Sequence, residues 1–207
     1  MTLLVFQLII LLFSVVIHEV SHGLVAERLG DPTARLAGRL TLNPIKHLDV
    51  FGSFLLPIFA YIASGGSFIF GYAKPVPYNP NNLKNPKAGA SIIAAAGPIS
   101  NIAIASVFAL FFRLTVSTDF SPAVLQLISF IVLINIVLAV FNLVPIPPLD
   151  GSKILFYFLP DSFYNLQIFL ERYGFFILLF FIFFGFQLIT PIMFGIFQLL
   201  IGSSFLF

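Results

Sequence analysis

Long apolar blocks with almost no charge are the feature that most restricts what this chain can fold into. Residues 2–26, 89–112 and 122–147 each reach the length of about 20 residues that a membrane-spanning helix requires. Residues 173–207 are nearly all apolar and long enough for a hairpin of two short helices. The charged share is 9%, against about 25% in soluble globular proteins. We therefore predict an all-α polytopic membrane protein with about five to six transmembrane helices.

Three shorter segments are predicted to take other forms. Residues 50–64 are apolar but short and contain Pro57, which indicates a re-entrant or surface element. Residues 35–42 alternate in leucine, and residues 67–77 contain two prolines that oppose a helix. We expect short membrane-associated strands at both places, able to pair with an unwound peptide.

The residue types that are missing limit the possible ligands and partners. The chain has no cysteine, so any metal must be held by His, Asp or Glu. Its basic residues lie between apolar blocks and form no stripe, so nucleic acid is not an expected partner. The N-terminal block lacks a basic leader region and a small-residue cleavage site, and we predict a retained spanning helix there.

Positions 18–22 read His-Glu-Val-Ser-His inside the first apolar block. On a helix, His18 and His22 lie on one face, where both imidazoles can reach one tetrahedral zinc. Glu19 points about 100° away around the helix and can act as a base toward water at the metal. Each ionisable residue in a spanning helix costs roughly 2.5 to 3.5 kcal/mol. That cost favours a functional zinc site over a chance match.

A catalytic zinc also requires a third protein ligand. The candidates are the remaining histidine and acidic residues: Glu27, Asp31, His47, Asp49, Asp119, Asp150, Asp161 and Glu171. Asp150 is favoured because it follows a long apolar block and a proline-rich segment that would line a cavity. His47 is the second choice.

The distribution of basic residues gives a separate argument for Asp150. The loop after the first apolar block holds Arg28, Arg35, Arg39 and Lys46, and the loop after residues 50–64 holds Lys74, Lys84 and Lys87. The link at 113–121 holds a single basic residue, Arg113. If residues 50–64 do not cross the membrane, both basic loops are cytoplasmic. Asp150 then reaches the half of the membrane that holds His18 and His22. If residues 50–64 cross, Asp150 lies on the opposite side.

Several motifs together resemble the site-2 protease family of intramembrane zinc metalloproteases, in its minimal prokaryotic form. The resemblance covers roughly residues 10–160 and rests on residues 18–23 (HEVSHG), 97–101 (GPISN), 142–151 (NLVPIPPLDG), 43–49 (NPIKHLD) and 71–77 (GYAKPVP). It implies one zinc per chain held by His18, His22 and Asp150, with Glu19 as the catalytic carboxylate. We expect no PDZ-like insertion and no nucleotide-sensing tail.

The resemblance also assigns roles to asparagines. It implies that Asn142 lies beside the metal, where its amide binds the substrate backbone or the oxyanion. Asn101 lines the same cavity as a substrate-binding residue, or it makes a helix–helix hydrogen bond, and these two roles stay equally open. Asn135 has no motif around it, and only the helix–helix role is assigned to it.

The predicted function is hydrolysis of peptide bonds in or near transmembrane segments of membrane-protein substrates, through zinc-activated water and Glu19. We predict a single intramembrane metalloprotease domain over 1–207, with a catalytic core of about 1–160 and a C-terminal helical hairpin of about 173–207. It is expected in the cell membrane, multi-pass, with the site toward the cytoplasm. Its partners are the lipid bilayer and a substrate with a transmembrane helix. The alternative is a zinc-binding membrane transport or regulatory protein, which would not need the Glu19 base.

Overall fold

A computed structural model of the chain describes residues 2–49, 51–63, 71, 73–116 and 120–202. Regular structure in these residues is helical throughout, and they contain no strand. The long helices are α1 (Thr2–Arg28), α4 (Pro86–Thr115) and α5 (Pro122–Asn142), joined by the short α2 (Thr33–Leu36) and α3 (Leu56–Ala63). The chain then forms α6 (Asp150–Phe158), α7 (Tyr164–Phe180) and α8 (Phe186–Ile201).

Four helical segments are long and apolar enough to cross a membrane within the described residues. They are Val5–Arg28, Pro86–Thr115, Pro122–Asn142 and Asp161–Ile201. The all-α polytopic membrane fold is therefore confirmed, with four such segments instead of the five to six predicted.

Helix α4 is the centre of the fold and packs against α1, α5, α6 and α8. Its N-terminus is defined by Asn85, whose side chain accepts the Ala88 N–H at 3.0 Å, and by Pro86 in the first turn. Ala105 and Ala109 are completely buried and belong to the main apolar core. Such small residues let neighbouring helices approach closely, as is common between helices in membranes.

The C-terminal segment differs from the predicted hairpin. Helical residues continue from α7 through a π-helical turn, Phe181–Gly185, into α8 without a reversing turn. The backbone stays right-handed at both ends of the π turn, and the ring of Phe181 lies against Gly185, where a side chain would collide with it. Pro191 lies inside α8 and does not end it. The 41-residue segment is about 60 Å long, and residues 203–207 lie outside the described chain.

The strand prediction at 35–42 is wrong. The Asp31 carboxylate accepts the Thr33 N–H at 3.1 Å and the Thr33 hydroxyl at 2.5 Å, which starts the helical turn of α2. Gly38 then has a φ of +65°, which bends the chain away from an extended course. The leucine alternation is overridden by these two local features.

Only part of the other predicted strand, 67–77, is described, since residues 67–70 and 72 lie outside the described chain. Residues 73–77 are non-helical and pair with no strand among the described residues. Pro75 and Pro77 have no N–H, the Lys74 N–H bonds the His47 carbonyl at 2.9 Å, and the Val76 N–H bonds Glu19 at 2.8 Å. Residues 74–77 therefore have no N–H left to pair with a peptide.

The element predicted at 50–64 is short. It consists of a five-residue π-helical turn, Phe51–Leu55, followed by the eight-residue α3. Their combined length is about 20 Å, against about 30 Å for the bilayer core. The described residues 51–63 are by themselves too short to cross as a helix, and the re-entrant or surface course of 50–64 stays a prediction. Residues 50 and 64 lie outside the described chain.

Candidate metal centre

The histidine pair of α1 faces the core of the bundle. His18 is 5% and His22 is 9% exposed, and their ring centroids are 4.7 Å apart. This arrangement follows from the helical repeat, which brings residues four apart to the same face. Opposite the pair, the backbone of α4 passes so closely that Gly97 occupies the space beside both imidazoles.

Asp150 completes a three-residue cluster with the two histidines. Helix α5 ends at Asn142, the chain turns through residues 143–149, and α6 begins at Asp150 itself. Its Oδ2 atom lies 3.1 Å from His18 Nε2 and 3.3 Å from His22 Nε2. These ligand atoms all lie within 4.8 Å of one another.

The turn before Asp150 depends on the glycine that follows it. A Cβ on Gly151 would collide with the carbonyl groups of Leu143 and Val144. Only glycine lets the end of α5 and the start of α6 come this close. The tight turn directs the carboxylate back toward α1, which explains how a residue far along the chain reaches the histidine pair.

The hydrogen bonds of the two histidines fit a bound metal. His18 Nδ1 lies 2.6 Å from Asn101 Oδ1, and His22 Nδ1 lies 2.7 Å from the carbonyl oxygen of Ile93. Both partners are acceptors, so each Nδ1 carries the proton in the neutral ring and each Nε2 presents a lone pair. Asp150 Oδ2 is buried and accepts no hydrogen bond from the described residues. Two lone pairs and a carboxylate oxygen thus converge on one point, as the three protein ligands of a catalytic zinc do.

Glu19 lies beside this cluster and does not join it. Its Oε2 atom accepts the Val76 N–H at 2.8 Å. The segment that carries Val76 is held by Arg39, whose Nη2 donates to the carbonyl oxygens of Lys74 and Pro75 at 2.6 and 3.2 Å. The carboxylate is therefore oriented by a loop 57 residues away in sequence.

Asn101 and Asn142 differ in their accessibility. Asn101 is completely buried, and its amide is engaged by His18 and by Asn135. The structure therefore contains helix–helix hydrogen bonds at Asn101, and its role in substrate binding stays a prediction. Asn142 is partly buried at the end of α5, and its Nδ2 donates to the Leu138 carbonyl at 2.9 Å. One of its two amide hydrogens remains for another acceptor.

The other candidate ligands lie outside the cluster. His47 is 1% exposed, and its Nε2 lies 2.8 Å from the Thr41 carbonyl oxygen. Asp31 anchors the loop before α4 by accepting the Asn79 N–H and the Asn82 amide, each at 2.6 Å. The remaining acidic candidates have separate contacts: Asp49 with Gly52, Glu27 with Arg35, Glu171 with Lys153 and Asp161 with Lys87. Asp119 lies outside the described chain.

Gly97 provides a test of the site's geometry. A Cβ at this position would lie 2.5 Å from His18 Cε1 and Nε2 and from His22 Nε2. We expect Gly97→Ala to weaken zinc binding on the order of 10- to 100-fold, as loss of the supporting shell around a metal does. Competition with a chromophoric chelator measures the affinity.

Gly195→Ala is the matched control for this variant. It also places alanine inside a helix, and its Cβ meets no atom within 4 Å. It should leave zinc affinity unchanged. Equal zinc affinity in Gly97→Ala and Gly195→Ala would show that the α4 backbone does not shape the site.

Comparison with known proteins identifies the family of the chain. The model of peptidase family M50 matches residues 6–125 and 117–185. The chain belongs to peptidase family M50, the site-2 protease family of metalloendopeptidases. No solved structure matches the chain.

Several curated proteins are similar to the chain over most of its length. The chain is 37% identical to "Putative zinc metalloprotease YwhC" of Bacillus subtilis in an alignment of 187 residues that covers 86% of this chain and 80% of that protein. It is 34% identical to "Putative zinc metalloprotease Rip2" of Mycolicibacterium smegmatis over 68% of this chain and 52% of that protein. It is also 34% identical to "Putative zinc metalloprotease MJ0611" of Methanocaldococcus jannaschii, over 68% of this chain and 63% of that protein.

Two residues near the site were not predicted from the sequence. Arg39 and Val76, which orient Glu19, lie in loops whose contacts no local pattern shows. The helix–helix role assigned to Asn135 is present, since its side chain bonds Asn101 on α4 and Ser14 on α1. The sequence did not show that the partner of Asn135 also bonds His18.

Proposed function

We propose that this M50 family member is an intramembrane endopeptidase that cleaves membrane proteins in or near their transmembrane segments. One zinc per chain would be held by His18, His22 and Asp150. The observation that carries the proposal is the position of the cluster on a helix long enough to span a membrane. His18 lies about 15 Å along α1 from its basic end at Arg28, which is half of a bilayer core of about 30 Å.

The chain's own residues supply the acid–base chemistry. When bound, zinc supplies a Lewis acid that polarises the scissile carbonyl and makes water more acidic. Glu19, held by Val76, takes a proton from the attacking water and delivers it to the leaving amine. We assign the oxyanion of the substrate to Asn142 as the acceptor of its second amide hydrogen, since Nδ2 uses one hydrogen on the Leu138 carbonyl.

We also propose that the site faces the cytoplasmic side of the cell membrane. Both basic loops lie at the same end of the bundle, which supports this orientation. The loop before α3 bonds the loop before α4 through the Lys74 N–H and the His47 carbonyl, and Asp31 bonds Asn79 and Asn82. These hydrogen bonds between the two loops support their placement on one side of the membrane, which the re-entrant interpretation of residues 50–64 requires.

Purified protein in lipid vesicles with a substrate that has one transmembrane helix tests the proposal. We expect cleavage in or near that helix, loss of cleavage when a chelator removes the metal, and recovery when zinc is added. A zinc-binding transport or regulatory protein would leave the substrate intact at every step. Intact substrate with fully zinc-loaded protein would therefore contradict the protease proposal.

The same vesicles report the orientation of the chain. The sequence has no cysteine, so single cysteines at positions 46 and 84 can be labelled without background. Both should react with a membrane-impermeant reagent from one side. Labelling from opposite sides would contradict the shared cytoplasmic location of the two loops.

A further inference from the structure

Three buried polar side chains form a line through the apolar interior behind His18. Asn101 on α4 and Asn135 on α5 are both 0% exposed, and Ser14 on α1 is 4% exposed. Buried polar groups are costly unless their hydrogen bonds are satisfied. Their partners therefore determine how each amide is oriented.

The line begins at a backbone carbonyl and ends at the metal centre. Asn135 Nδ2 donates to the Ile131 carbonyl at 2.9 Å and to Ser14 Oγ at 3.0 Å. Asn135 Oδ1 accepts from Asn101 Nδ2 at 2.9 Å. Asn101 Oδ1 lies 2.6 Å from His18 Nδ1.

The direction of every bond in this line follows from its first member. A carbonyl oxygen only accepts, so the NH2 group of Asn135 must face Ile131 and its oxygen must face Asn101. Asn101 must then present its NH2 group to Asn135 and its oxygen to His18. An oxygen at this place requires a proton on His18 Nδ1, and the lone pair is left on Nε2. The Ser14 carbonyl, 3.4 Å from Asn101 Nδ2, acts in the same direction at longer range.

We propose that Asn135 is a positioning residue that fixes the tautomer of His18 through Asn101. This inference rests on the proposed zinc site. His18 can bind a metal between itself, His22 and Asp150 only if its Nε2 atom carries a lone pair. Asn135 touches neither the metal ligands nor a substrate directly. It prevents Asn101 from flipping and presenting its NH2 group to the His18 ring.

A role in helix packing alone predicts a different result. Hydrogen bonds between membrane helices contribute only modestly to stability. If Asn135 acted only in packing, its loss would lower thermal stability and leave zinc affinity unchanged. Because outer-shell partners of metal-bound histidine typically affect metal affinity by about 10- to 100-fold, the two roles are separable.

The test measures zinc affinity of the purified full chain by competition with a chromophoric chelator. We expect Asn135→Leu to weaken zinc binding on the order of 10- to 100-fold. Asn135→Ala removes the amide without adding bulk and carries the same expectation if the leucine variant does not fold. Ser129→Ala is the matched control, because Ser129 is a buried polar residue of α5 whose one hydrogen bond to the described residues goes to the Gln126 carbonyl in its own helix. It should bind zinc like the wild type.

A second substitution tests the proposed direction of the bonds. A carboxylate can only accept from a neutral histidine, so Asn101→Asp fixes the proton on His18 Nδ1 without help from Asn135. The double variant Asn135→Leu, Asn101→Asp should therefore bind zinc more tightly than Asn135→Leu. In the metal-free protein, ¹⁵N NMR of the three histidines should show one His18 tautomer in the wild type and a mixture in Asn135→Leu.

The possible results separate this inference from the proposed function. Wild-type zinc affinity in Asn135→Leu and Asn135→Ala would overturn the positioning role and leave the zinc site intact. A double variant no tighter than Asn135→Leu would also overturn it. Failure of the wild type to bind zinc would overturn the zinc site and the positioning role together.

Discussion

Replacing Glu19 with glutamine should stop peptide hydrolysis while the protein keeps its zinc. Loss of a positioned general base typically lowers the rate by about 10²- to 10⁴-fold. The glutamine oxygen can still accept the Val76 N–H that holds Glu19 at 2.8 Å. The loop and the cluster should therefore stay in place, and only the proton transfer should be lost.

Two measurements on Glu19→Gln distinguish the proposed roles. Cleavage of a transmembrane substrate gives the rate, and metal analysis of the purified protein gives the zinc content. Cleavage at the wild-type rate would show that Glu19 is not the base. Loss of zinc along with activity would show that Glu19 contributes to the metal site. That outcome would contradict the proposed role, because Glu19 is not part of the cluster of His18, His22 and Asp150.

Replacing Asp150 with asparagine should empty the metal site. The substitution removes the negative charge that faces the Nε2 atoms of His18 and His22 at 3.1 and 3.3 Å. It leaves a neutral amide among two neutral rings, which is a poor site for a divalent cation. We expect zinc affinity to fall by more than the roughly 10- to 100-fold that follows loss of an outer-shell partner.

His47→Ala is the control for Asp150→Asn, because His47 was the second candidate for the third ligand. Its ring is buried away from the cluster and bonds the Thr41 carbonyl. The variant should lose stability, by about 1–3 kcal/mol for the unpaired carbonyl, but its folded fraction should bind zinc normally. An empty site in His47→Ala with zinc retained in Asp150→Asn would reverse the ligand assignment.

The spanning helices and the chemistry of α1 could be predicted because they depend on local sequence. Residues 2–26, 89–112 and 122–147 correspond to α1, α4 and α5 within a few residues. The position of His18 and His22 on one face of α1 follows from the helical repeat alone. By contrast, residues 173–207 were predicted as a hairpin because Gln187 and Pro191 interrupt the apolar run, and the structure contains one continuous helical segment.

Asp150 could be predicted as the third ligand only from features that are far apart in the sequence. The charge of the loops and the short length of residues 50–64 indicated that Asp150 returns to the side of the histidine pair. The structure brings these residues together through the tight turn at Gly151. Motif resemblance led to the same residue independently.

By itself, the sequence determined that the chain must lie in a membrane, that its long blocks are helices, and that a histidine pair with a neighbouring carboxylate lies inside one of them. These properties follow from composition and from the period of the helix, which act over a few residues. Only the tertiary structure decided what surrounds that pair: the bare backbone at Gly97, the Val76 N–H on Glu19, and the bonds from Asn135 through Asn101 to His18. Each of these contacts joins residues from different elements, so its geometry is set by how the helices pack and by which buried polar groups must satisfy one another.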